Sequence, residues 1–314
     1  MDQFIQLTVD GLTLGSVYAL IALGYTLVYG VLKLLNFAHG DVFMVGTFVG
    51  FGVLQVLGGP ANPKVPIWLV ITLVTLAAMA VCAALGVAIE RFAYRPLRDA
   101  PRIAPLISAL GVSFFLANSM QLLFGATPRN YDLFQYHTGT LYLRGLHIGG
   151  VTVPLLRIIT IVAAFILMVI LWFLVNKTRT GKAMRATSFD REAAAMMGID
   201  IDRVIVFTFI LGSALAGAAG VMFSLRVPTN VSIGFIAGLK GFIAAVIGGI
   251  GSIPGAMAGG LILGFLESYI QGYVHGAHIP DGTQWSDLYV FSVLIALMLF
   301  RHQGLFGRPD IRKV

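Results

Sequence analysis

Charge is scarce in this chain. Asp, Glu, Lys and Arg make up 11% of its 314 residues, against 58% hydrophobic residues, and mean hydropathy is +0.89. So few charges cannot cover a soluble globule of this length. Long uncharged apolar runs recur from end to end, and such runs belong in a bilayer rather than in a globular core. Acidic residues are fewer than basic ones, 14 against 21. The resulting net charge of +7 lies mostly in short loops, as inner-leaflet charge does, and is no nucleic-acid footprint. The only cysteine, Cys82, lies inside an apolar run, which excludes an intrachain disulfide. Met1–Leu7 lacks a basic n-region and the first apolar run is too long for an h-region, so the first span is expected to target the chain itself. The chain reads as an all-α polytopic membrane protein, one transmembrane domain over residues 1–314.

Taken in order, Leu12–Leu32 is the first span, with Asp10 at its start as an interfacial cap. A break at Lys33–Asp41 precedes Val42–Leu57, short for a full span unless buried among other helices or partly re-entrant. Gly58–Pro66 is a loop; Ile67–Ile89, Ile103–Phe124, Val151–Val175 and Val204–Leu225 are spans. Ala126–Gly150 is a long polar stretch carrying Tyr131, Tyr136 and Tyr142. Ser232–Gly251 holds six glycines and a lysine; it is apolar enough to enter the bilayer but reads as too broken for an ordinary helix. Ala256–Tyr273 and Leu288–Phe300 complete eight or nine membrane segments, some of them broken or re-entrant. Stretches 91–102, 176–203 and 301–314 carry four, six and four Lys or Arg, whereas 126–150 carries two and 272–287 none. The three basic stretches, and with them the C-terminus, are therefore expected in the cytoplasm.

The most basic stretch, Asn176–Arg203, reads as a loop with a short helix inside it. Thr187 or Ser188 is placed to cap that helix, Asp190 and Glu192 to sit in its first turn, and Gly198 to end it in a left-handed conformation. A two-turn helix of this kind is marginal without something to pack against.

Polar groups inside apolar runs are the other candidates. Asn36, His39, Gly40 and Asp41 form a knot between two apolar segments. Too few ligands stand there for a metal site, and a broken helix with its freed backbone satisfied by these side chains is the favoured reading. Such a break is tolerated where it faces protein or a water-filled path. Gly234, Gly238, Lys240, Gly248 and Gly249 belong to a counterpart in the second half. Lys240 and Glu267, both inside apolar segments, are expected to pair, because either alone is costly in lipid. Arg157 and Arg226 lie near span ends and read as snorkelling cations. Gly255/Gly259 and Gly260/Gly264 suit close helix contact.

Glu192, Ala193, Ala194 and Gly198 spell E-A-A-x-x-x-G, which resembles the EAA loop of ABC-importer permeases. The runs GLTLGSVYALIALGYTLVYGVLKLLNFAHGDVFMVGTF, GKAMRATSFDREAAAMMGIDIDRVIVFTFILGSALAGAAGVMFS and FIAAVIGGIGSIPGAMAGGLILGFLES resemble, in order, the start, coupling loop and C-terminal region of LivH-type permeases of branched-chain amino-acid importers. The resemblance implies a type II ABC-importer permease fold in a bacterial or archaeal cytoplasmic membrane. It implies a second, LivM-like permease, two ABC ATPases docked on the loop around Arg185, Asp190, Glu192 and Gly198, and a periplasmic or extracellular solute-binding protein. ATP would be bound by the partners, and no cofactor by this chain. Consistent with that, Gly181-Lys182 is followed by Ala183, and no G-x-x-x-x-G-K-[ST] run occurs. Related permeases carry urea or short amides, so the solute is the open point. A secondary transporter or channel, using Asp41, Lys240 and Glu267 for ion coupling, and an intramembrane enzyme using His39 and Asp41 are the readings from other classes. Neither explains the basic loop.

Overall fold

A computed structural model describes residues 2–58, 66–98, 100–101, 103–131, 145–148, 151–274, 282–301 and 303–307. Eleven helices are described: α1 Asp2–Leu32, α2 His39–Val56, α3 Ile67–Ile89, α4 Ile103–Phe124, α5 Leu155–Lys177, α6 Arg179–Phe189, α7 Arg191–Met196, α8 Ile201–Ser224, α9 Ile233–Gly248, α10 Ile253–Val274 and α11 Gly282–Phe300. A π turn and a 3₁₀ turn extend α3 through residues 90–97. An antiparallel hairpin, β1 Gly145–Ile148 with β2 Val151–Pro154, precedes α5, so the start of the expected span 151–175 is extended rather than helical. Among the described residues seven helices are long and apolar enough to cross a membrane, and α9 and α11 add two shorter apolar helices. The expected loop at 59–65, Tyr136 and Tyr142, residues 275–281 and the basic tail from 308 lie outside the described residues.

The bundle is built around α1. Its residues Val17–Leu23 are each at most 2% exposed, as fits a helix that is apolar all round. Against it α10 runs antiparallel along a seam of small residues: a Cβ on Gly15 would lie 2.8 Å from the Leu261 Cα, and one on Gly264 would collide with the Gly15 backbone. Lipid tails are as apolar as Leu, so close backbone contact between small residues, not hydrophobic exclusion, holds such helices together. Gly264→Val is expected to lower the midpoint of thermal unfolding in detergent, because overpacking here costs about 1–3 kcal/mol or more. An unchanged midpoint would show that the seam can open. Helix α8 forms a second antiparallel pair with α3, with Gly217 against Ala78 and Cys82 and Gly86 against Ser213 and Phe209.

Three expectations are corrected. Asp10 caps nothing: α1 begins a full two turns earlier, and Asp10 pairs with Arg157 at 2.6 Å and Arg226 at 3.5 Å. Those arginines, read as lone snorkelling cations, share an acidic partner while their side chains stay partly exposed. The glycine-rich segment is no broken helix either. It is a continuous 16-residue α9, ended at Gly249, whose φ of +98° only glycine adopts readily. Its glycines serve contact with α1, α2 and α10 rather than flexibility.

Candidate functional site

Two regions combine polar groups with unusual backbone. The first lies where α2 starts. Helix α1 ends at Leu32, Lys33 turns the chain at φ +56°, and residues 33–38 lead back into the bundle. There Asn36 takes the role expected of a broken-helix residue: its Oδ1 accepts from the Ala38 amide and the Tyr94 hydroxyl, each at 3.1 Å. His39 does not share that role, whereas Asp41 does in part, its carboxylate accepting from its own first-turn amide. His39 opens α2 and packs edge-on against Tyr25 at 4.7 Å, beside the bare Cα of Gly24, about two turns before α1 ends. Asp41, 5% exposed, accepts a short hydrogen bond from Ser113 of α4.

The first turn of α9 crosses α2 at this point. A Cβ on Gly40 would collide with the Gly234 carbonyl and lie 2.8 Å from the Gly238 Cα. The glycines singled out in the two halves thus meet one another. At the far end of α9 Gly248 packs on Gly255, and the amides of Leu305 and Phe306 donate to the Ile247 and Gly248 carbonyls at 2.9 and 3.1 Å. A cavity of about 550 Å³ opens beside the α2–α9 crossing, lined by Asp41, Ser113, Phe114, Asn230, Ser232 and Phe235 among others.

Lys240, further along α9, is buried among acids: Nζ lies 2.7 Å from Glu267 Oε1 and 2.8 Å from Asp287 Oδ1. The Tyr18 hydroxyl donates to Glu267 Oε2 at 2.9 Å. Sequence reasoning missed Asp287, which lies just outside the apolar run Leu288–Phe300 and so reads as a loop residue, whereas α11 begins earlier, at Gly282. Among the described residues no group of three His, Cys, Asp or Glu side chains is placed to hold a metal.

The second region is the basic loop. It is two helices, not one. Thr178 caps α6 through the Gly181 amide at 3.1 Å. The cap of α7 is Asp190, whose extended backbone brings its carboxylate to the Ala193 amide at 3.0 Å. Thr187 and Ser188 are therefore not caps: Thr187 is buried within α6, and Ser188 donates to the Gly30 carbonyl at 2.6 Å. Arg191 reaches the Val31 carbonyl at 3.0 Å. These two side chains satisfy carbonyls that the last turn of α1 leaves without helical partners, a role that nothing in their local pattern marks. Arg185 does the same for the Val175 carbonyl at the end of α5. Burial, and then the Arg98 guanidinium nearby, holds the Arg191 pKa below the usual arginine value. Arg98 itself bridges Glu90 and Asp202, so two basic stretches distant in sequence meet at one end of the bundle.

Gly198 closes α7 at φ +80°. Its amide bonds the Ala195 carbonyl and the Ile199 amide bonds the Ala194 carbonyl, the paired bonds of a Schellman stop. Ala194 is buried beneath α7, Ala193 is half-buried and Glu192 is exposed. Phe189, Met196 and Met197 are 88%, 82% and 83% exposed, so the loop presents large apolar side chains outward on a rigidly capped frame.

Residues 7–300 match the family described as branched-chain amino acid transport system / permease component. The chain is 40% identical over 312 residues to the high-affinity branched-chain amino acid transport system permease protein BraD of Pseudomonas aeruginosa, covering 99% of this chain and 98% of that one. It is 39% identical over 315 residues to the LivH permease proteins of Escherichia coli and Salmonella typhimurium, with the same coverage. A family match over most of the sequence and identity near 40% along nearly the full length of these relatives make this chain a member of the branched-chain amino acid transport system permease family.

Proposed function

We propose that the chain is one permease subunit of an ATP-driven importer that carries leucine, isoleucine and valine across the cytoplasmic membrane. The names of the relatives support this solute class over urea or short amides. The observation that carries the energy-coupling part is the outward apolar face of Phe189, Met196 and Met197 on a loop anchored to the ends of α1 and α5. A soluble partner that binds ATP would dock there, with Glu192, Ala193, Ala194 and Gly198 shaping the docking helix and Asp190 and Arg185 holding its frame. The positive-inside rule sets this end, and the C-terminus, in the cytoplasm.

At the opposite end a solute-binding protein would deliver the amino acid. The path would run past the α2–α9 crossing, through the region of Asn36, His39, Gly40, Asp41, Gly234, Gly238 and Lys240. A second permease would close it from the α4 side, where the Asp41 carboxylate and Ser113 face an open cavity in an otherwise apolar wall, since a carboxylate does not suit lipid. The outer face of α5, by contrast, is Ile161, Val162, Phe165, Ile166, Val169 and Ile170, an apolar surface that fits acyl chains.

Gentle solubilisation of the native membrane is expected to recover this chain together with a second permease and an ATPase. Vesicles from the same membrane are expected to take up leucine only with ATP and the binding protein. Recovery without any ATPase, with uptake indifferent to ATP depletion, would sink the proposal in favour of a secondary transporter.

A further inference from the structure

We propose that Asp41, braced by Ser113, receives the ammonium group of the amino acid as it crosses the membrane; this rests on the amino-acid reading of the family. Three acids are deeply buried among the described residues: Asp41 at 5%, Glu90 at 0% and Glu267 at 4% exposure. Glu90 is paired with Arg98 and Glu267 with Lys240. Asp41 has the Ser113 hydroxyl and its own backbone amide, and among the described residues no cation lies within ion-pair distance of it. A buried carboxylate is stable when a cation or several donors compensate it. Ser113 and the first-turn position on α2 supply part of that compensation, and the place of the cation is left open.

That place faces the cavity. Its volume of about 550 Å³ falls within the range of small-molecule sites, roughly 300–1,000 Å³. Most of the wall is apolar, Leu110, Phe114, Ala117 and Phe235 among it, and Gln121, Asn230 and Ser232 add polar groups. One anionic anchor in an otherwise greasy wall matches a solute with an ammonium head and a branched hydrocarbon side chain. Gly234 keeps the anchor accessible, because a Cβ there would lie 2.9 Å from Asp41 Oδ1. The chemistry of the contact is a charge-assisted N–H···O hydrogen bond; in a pathway it has to be weak enough to release, which a single carboxylate shared with the Ser113 hydroxyl allows.

The test uses the complete importer in proteoliposomes with its binding protein, comparing wild type, Asp41→Asn, Asp41→Glu and Ser113→Ala for leucine uptake and for ATP hydrolysis. Loss of one charge-assisted bond corresponds to roughly tenfold or more. Asp41→Asn is expected to lower the maximal uptake rate by at least that factor while the half-saturating leucine concentration, set by the binding protein, stays put. Hydrolysis is expected still to respond to loaded binding protein, Asp41→Glu to recover most of the rate, and Ser113→Ala to fall between. Asp41→Asn transporting at the wild-type rate overturns the proposal while leaving the importer reading intact. So does a variant whose complex fails to assemble and is not rescued by Asp41→Glu, since that is a packing role. If the wild-type complex carries no leucine, the amino-acid reading fails and this assignment with it.

Discussion

An importer carrying Gly198→Asp is expected to assemble normally and to transport almost nothing. Space is not the reason: a Cβ at Gly198 meets no atom within 4 Å, so the bundle does not feel the substitution. Conformation and charge are the reason. At φ +80° a non-glycine residue costs on the order of 1–3 kcal/mol where the fold forces it, and the added carboxylate sits at the negative end of the α7 dipole. Both effects act against the two hydrogen bonds that stop α7 and therefore against the posture of Met196 and Met197. A loss of about 1.4 kcal/mol in docking is already tenfold. The measurement is leucine uptake and binding-protein-stimulated ATP hydrolysis beside the detergent melting midpoint. Uptake at the wild-type level would remove the loop from the coupling role; a collapsed midpoint would show that Gly198 supports the fold. Glu192→Lys, exposed in the first turn of α7, is expected to act in the same direction through the other end of the dipole.

Lys240→Met is expected to be the most destabilising single change inside the bundle. It leaves Glu267, buried and within hydrogen-bond reach of Tyr18, without its cation, and removing one member of a buried pair costs about 3–5 kcal/mol. Asp287 holds the same ammonium at 2.8 Å from a side chain that is 47% exposed overall, so its carboxylate, unlike that of Glu267, keeps contact with the surroundings once Lys240 is gone. A Lys240→Met/Glu267→Gln double variant should regain much of the loss, since the orphaned charge disappears with its partner. A thermal midpoint for Lys240→Met equal to wild type would mean that water or a neighbouring group compensates Glu267. A double variant no better than the single one would place the cost in packing instead.

The spans were legible because lipid leaves few choices: apolar length marks them. The Lys240–Glu267 pair was legible for the same reason, since an ion in an apolar run needs a partner and few were on offer. What was illegible involved contacts across long sequence separations. Ser188 looks like a helix cap in any local window, and only the end of α1 beside it turns it toward the Gly30 carbonyl. Arg157 and Arg226 look like snorkelling cations until Asp10, far away in sequence, arrives between them. The glycines of α9 were misread as breakers because a soluble-protein preference was applied where neighbouring helices supply the restraint. Asp41 and Ser113 lie 72 residues apart, and no periodicity links them.

The grip of Ser188 and Arg191 on the last carbonyls of α1 makes the loop and that helix a single lever. A partner that displaced the loop would displace the end of α1 with it, and a 31-residue helix would carry that movement along its axis. The run from Lys33 to Ala38 joins that lever to the helix bearing His39 and Asp41, and it is pinned rather than slack: Asn36 holds the Ala38 amide and the Tyr94 hydroxyl, so the end of α1 and the start of α2 are tied to one another.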